Sequence, residues 1–175
     1  MNRLRPFSRL ALQGSLVLGS CGGTEARDDG PDRRILHFDT VTVRLVTGAD
    51  TVPLHVELAV SPQQQQLGLM ERLQLDSLAG MLFVYDSLLP ADAGFWMYRT
   101  RIPLDIAYLD SAGVIGSIRV MQPCSTTMPQ GCPVYVPGVP FRYALELNAG
   151  SLERFGADTG SRLLLEDLPD TLRSR

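Results

Sequence analysis

The densest group of side chains that could meet a ligand lies in Phe95-Trp96-Met97-Tyr98-Arg99-Thr100-Arg101, with Asp105 just beyond. Trp96 and Met97 would supply an apolar surface, and Arg99, Thr100, Arg101 and Asp105 the few charged and hydroxyl groups that orient a bound molecule. Read as packing instead, Trp96 and Met97 are core, Arg99 and Arg101 are solvated, and Asp105 caps or pairs with a neighbour. Acid–base chemistry would need a second carboxylate beside Asp105, and Glu146 and Asp110 are the partners considered for a hydrolase.

Other catalytic sets are excluded or weak. All sixteen basic residues are Arg, so a Schiff-base lysine, a P-loop lysine and a Ser-Lys pair are impossible. A Ser-His-Asp triad would have to use His37 or His55, and no Ser sits in a Gly-x-Ser-x-Gly elbow. No Gly-rich phosphate loop follows a predicted strand. Cys124 and Cys132 stand in PCSTTMPQGCP, with seven residues between them. In an exported protein such a pair reads as a disulfide closing a proline-flanked loop; a redox pair and half a metal site are the alternatives. A zinc site would need two more ligands, so no metal and no cofactor are expected.

These groups need a scaffold and a compartment. Residues 1–9 are basic, residues 10–18 (LALQGSLVL) are a short apolar run, and Leu18-Gly19-Ser20-Cys21 follows. This is the pattern of an export signal, too short to span a bilayer as a helix, and its end resembles a bacterial lipobox with Cys21 as the lipidated residue. An ordinary cleaved signal with a chance Cys is the alternative. Residues 21–34 are polar and charged and read as a flexible tether. Without residues 1–20, thirteen Arg face nineteen acidic residues, a net charge of −6, which argues against a nucleic-acid partner. The expected location is the cell envelope, anchored to a membrane through Cys21, on the periplasmic or extracellular face.

At 175 residues the chain can bury one good core, expected over residues 35–166 with a frayed tail at 167–175. Val52, Leu54, Val56, Leu58 and Val60 alternate with mostly polar neighbours, as in a half-buried strand, and Val41, Val43 and Leu45 do the same. Thr47-Gly48-Ala49-Asp50 turns between them, giving a hairpin. Ser61-Pro62-Gln63-Gln64 combines a cap, a proline at the first helical position and a Gln three residues after the cap, predicting a helix over 62–70. Residues 81–85 and 95–98 read as strands, 103–110 and 114–120 as a second hairpin, 142–147 as a strand, 149–156 as a helical turn and 162–166 as a closing strand. The fold class is α+β and β-rich: a curved antiparallel sheet or small barrel with two or three short helices.

Gly68-Leu69-Met70, Gly80-Met81-Leu82-Phe83-Val84, Phe95-Trp96-Met97, Thr100, Ile102-Pro103-Leu104-Asp105-Ile106, Asp110, Gly113, Pro123-Cys124, Cys132-Pro133 and Leu145-Glu146-Leu147-Asn148-Ala149-Gly150 occur in order. Together they resemble the domain-of-unknown-function 192 family over about residues 52–166. The resemblance implies a compact β-rich domain, frequently exported, and brings no established activity with it. The chain departs from the family pattern twice. The FWMKNT-like block reads FWMYRT, with Tyr98 and Arg99 in place of Lys and Asn, and the GLM-Phe-Arg block reads Gly68-Leu69-Met70-Glu71-Arg72. A ligand contact made by the family's Lys-Asn pair would therefore be altered. The reading these features favour is a non-enzymatic envelope module that binds a ligand or an envelope protein. A hydrolase using Asp105 and a passive structural module are the alternatives.

Overall fold

The computed structural model describes residues 36–48 and 50–173. The expected leader, the Cys21 lipidation site and the tether lie outside the described residues. Strands β1 (Thr40–Val46) and β2 (Thr51–Ala59) form the expected hairpin, with Val43 opposite Leu54 and Leu45 opposite Val52. Helix α1 (Pro62–Leu67) follows. The Ser61 hydroxyl accepts from the Gln64 N–H while the Gln64 side chain accepts from the Ser61 N–H, a reciprocal cap at the predicted position. The helix stops at Gly68, whose φ of 48° suits a residue without a Cβ.

Strand β3 (Ala79–Leu89) follows, then β4 (Phe95–Trp96), β5 (Leu104–Leu109), β6 (Ile115–Met121), β7 (Val134–Tyr135), β8 (Phe141–Asn148), α2 (Ser151–Arg154), β9 (Arg162–Leu163) and α3 (Asp170–Arg173). Seven strands form one sheet in the order β6-β5-β8-β3-β2-β1-β9, and β4 with β7 form a separate ribbon. The sheet curls strongly into a half-barrel. Its two ends meet where the Ile115 N–H donates to the Ser161 carbonyl (2.8 Å) and the Leu163 N–H to the Gly113 carbonyl (2.9 Å). The sheet was expected to be antiparallel, but β2 and β3 pair parallel, because the chain crosses over through α1 and residues 68–78 between them.

Both faces of the middle strands are buried. One carries Val43, Leu45, Leu54, Val56, Leu82, Leu145 and Leu147 with Leu152 of α2; the other carries Met81, Phe83, Leu104, Ile106, Tyr108 and Ala144. Residues expected as a frayed tail join the first face: Leu168 and Leu172 are buried, and the Arg44 guanidinium grips Asp167 (2.8 and 2.9 Å) and Glu166 (2.9 Å). Leu168 packs there from extended backbone just before α3, and Leu172 from α3 itself. Among the described residues, no helix is long and apolar enough to cross a membrane.

Candidate functional site

In an antiparallel pair, residues directly opposite each other project from the same face. Asp105 lies opposite Leu147, and Ile106 opposite Glu146, so the Asp105 and Glu146 side chains leave opposite faces of the sheet. Asp105 is buried, and its Oδ2 accepts from the Leu152 N–H at 3.0 Å at the start of α2. Asp110 is an exposed turn residue whose Oδ1 accepts from the Ala112 and Val114 N–H groups. The carboxylate pair that a hydrolase would draw from Asp105 with Glu146 or Asp110 is therefore not assembled.

The remaining predicted site residues divide. Trp96 and Thr100 line a pocket of about 290 Å³, whereas Met97 is fully enclosed in the second core. Arg99 and Arg101 lie outside the lining; their Nε groups donate to the two oxygens of Glu71, at 2.8 and 2.6 Å. Those two hydrogen bonds hold the Glu71 carboxyl below its ordinary range. Arg99 and Glu71 both adopt left-handed backbone, φ 56° and 61°, and the Glu71 N–H donates to the Arg99 carbonyl at 2.8 Å.

Residues 65–70 of α1 and its exit turn form one wall of the pocket. Phe83 and Tyr85 of β3 contribute from the sheet, and Phe95 and Trp96 of β4 close the opposite side. Phe95 meets Phe83 edge-on (5.0 Å between centroids) and Tyr108 likewise (5.7 Å), which fixes the ribbon on the sheet. The Tyr108 hydroxyl adds a hydrogen bond to the Tyr135 carbonyl of β7 at 2.6 Å. Gly94 is needed at the lip, since a Cβ there would come within 2.4 Å of Val134. The Cys124–Cys132 disulfide is formed, with Cα atoms 5.6 Å apart, and it closes the strap that carries β7.

Glu146, reaching this pocket from β8, is 5% exposed. No hydrogen bond or ion pair joins its carboxyl to another described residue. Burial pushes its pKa up to about 8, so the group holds its proton through neutral pH. Its charge, when formed, in turn raises the already desolvated phenols of Tyr85 and Tyr108. The site is thus an aromatic recess around an acid that no other described residue engages. The contribution of Phe83, Tyr85 and Glu146 to a pocket was not read from the sequence. The signal was present in Ala144-Leu145-Glu146-Leu147, where an acidic residue interrupts a strand apolar on both faces.

The family model for DUF192, described as an uncharacterized ACR, matches residues 44–165. Two solved structures are similar. One, from Sinorhizobium meliloti 1021 and described as a candidate transcription regulator, is 37% identical over 74% of this chain and 95% of its own, with a TM-score of 0.67. The other, a protein of unknown function from Novosphingobium aromaticivorans DSM 12444, is 28% identical over 71% of this chain and 84% of its own, with a TM-score of 0.60. No curated protein matches.

Proposed function

This chain belongs to the DUF192 family, and from that premise we propose that it is a non-enzymatic, lipid-anchored envelope module whose aromatic pocket takes a small ligand. The observation that carries the reading is Glu146: a 95% buried carboxyl, facing a pocket and without a partner among the described residues, is costly to keep unless something uses it. The walls of Phe83, Phe95 and Trp96 offer apolar area, and the few polar groups at Thr100 and Glu146 offer orientation, as small-molecule sites do. The export-type leader and Cys21 support a place at the membrane surface. A net charge of −6 without residues 1–20 opposes a role on nucleic acid, so the regulator description stays with the Sinorhizobium protein.

The test is equilibrium dialysis of the full chain against a small-molecule extract of bacterial envelopes, read by mass spectrometry. Wild type should retain at least one species that Gln66→Phe, a substitution at an exposed position on the pocket wall, does not. Equal retention by both proteins, or none by either while both remain folded, contradicts the reading and favours a passive module.

A further inference from the structure

If the pocket is a binding site, the chemistry of its ligand can be inferred from what the pocket lacks. Four aromatic rings, those of Phe83, Tyr85, Phe95 and Trp96, border it together with the Glu146 carboxyl, and no Arg or His is among its lining residues. The nearest guanidinium groups on the 99–101 segment, Arg99 and Arg101, are drawn outward onto Glu71. Two Arg side chains stack on rings outside the pocket, Arg142 over Tyr143 and Arg154 over Phe155. Among the described residues, the pocket is therefore lined by an acid and several aromatic rings with no cation.

We propose that the pocket binds an organic ammonium group, with Glu146 as its counter-ion and the aromatic rings around its alkyl substituents. This rests on the reading of the pocket as the ligand site and deepens it. An aromatic ring attracts a cation through its negative face, most strongly where water is excluded, and an alkylated ammonium adds apolar contact that a bare metal ion lacks. A buried carboxyl can be neutralised by a proton or by a cation. An entering ammonium displaces the proton, which leaves to solvent, and the resulting ion pair sits where the neutral acid sat. The pocket volume, about 290 Å³, lies at the small end of ligand sites and suits a head group rather than a long chain. The titratable groups that interact with Glu146 are the phenols of Tyr85 on β3 and Tyr108 on β5. Both stay uncharged across neutral pH, and the Arg119 guanidinium acts on Tyr108. Proton release on binding is therefore assigned to Glu146.

Trp96, the single tryptophan of the chain, is 42% exposed at the pocket and reports occupancy by its emission. The probes are choline and 3,3-dimethylbutan-1-ol, which has the same shape with carbon in place of nitrogen. Choline should quench or shift Trp96 saturably and bind at least tenfold more tightly than the alcohol. Its affinity should rise up to tenfold per pH unit between pH 6 and 8 and level off above. Glu146→Gln should remove both the preference and the pH dependence while still admitting the alcohol. Displacement of choline by phosphatidylcholine vesicles, but not by phosphatidylglycerol vesicles, would assign a lipid head group as the source; no displacement would assign a free ammonium compound. Equal affinities for choline and the alcohol, or a preference that survives in Glu146→Gln, overturn the cation inference and leave the pocket standing as a site. Choline that leaves Trp96 unaltered at any pH also overturns it, and the dialysis result then decides whether the pocket binds anything.

Discussion

Glu146 and Glu71 are both acidic residues near the pocket, and the structure treats them oppositely. Glu146 is uncharged at neutral pH because nothing replaces its water; Glu71 is charged because two guanidinium groups do. For Glu146 the folded-state pKa is above that of the unfolded chain. Its stabilising contribution is therefore complete below about pH 4.5 and is lost progressively as pH rises through 8, because the unfolded chain loses the proton first. Chemical denaturation of wild type should show stability falling by on the order of 4 kcal/mol across that window relative to Glu146→Gln, whose amide carries no charge at any pH. Parallel pH profiles for the two proteins would mean the carboxyl is solvated. At the Glu71–Arg99 contact, both residues depart from the family pattern noted in the sequence, and they depart together. The Asn of that pattern tolerates left-handed backbone; Arg99 adopts it at φ 56° while its carbonyl accepts from the Glu71 N–H and its Nε donates to the Glu71 carboxylate. A double-mutant cycle of Glu71→Ala with Arg99→Ala should give a favourable coupling of about 0.2–1 kcal/mol, small because the pair is partly exposed. The types of these residues were legible in the sequence, but their pairing was not, because 27 residues of chain separate the segments that meet.

At the scale of elements, local signals carried well. The Ser61 cap, the Thr47 turn and the alternating runs predicted α1 and the first hairpin, since each depends on residues close in sequence. Three features depended on distant partners and were not legible: the parallel pairing of β2 with β3, the opposite facing of Asp105 and Glu146, and the packing of Leu168 and Leu172. The two carboxylates differ by register across a strand pair, and no reading of either strand alone supplies that. The ribbon over the pocket shows how a weak element is held. With only two residues in each strand, it relies on a covalent staple. Cys124 bridges to Tyr98, and Cys132 stands two residues before Val134, the partner of Trp96, so both ends of the disulfide loop are clamped to the 96–98 segment. Replacing both cysteines by Ala should cost about 2–3 kcal/mol by chain entropy and move Trp96 emission to the red, both measurable in a single denaturation series. An unchanged Trp96 spectrum would show that the aromatic contacts of Phe95 hold the ribbon without the staple.

For the whole molecule, the half-barrel leaves its pocket on the face covered by α1 and the β4–β7 ribbon, while α2 and α3 close the other. The proposed lipid anchor at Cys21, with residues 21–34 as its proposed tether, would hold this domain near a membrane surface. Intact mass spectrometry of membrane-extracted protein should show loss of residues 1–20, acyl chains on Cys21, and two further thiols appearing only on reduction. Retention of Met1 with three free thiols would place the chain in a reducing compartment and remove the envelope from the account.

The measurement that bears most directly on the central claim is amide NMR of the full chain titrated with small fragments that differ in charge and apolar area. The account predicts saturable shifts concentrated at residues 65–70, 83–85, 94–100 and 146, and their loss in Gln66→Phe. Shifts spread over the surface, or centred on a different part of the half-barrel, would contradict the assignment of the Trp96–Glu146 pocket as the place where this protein binds.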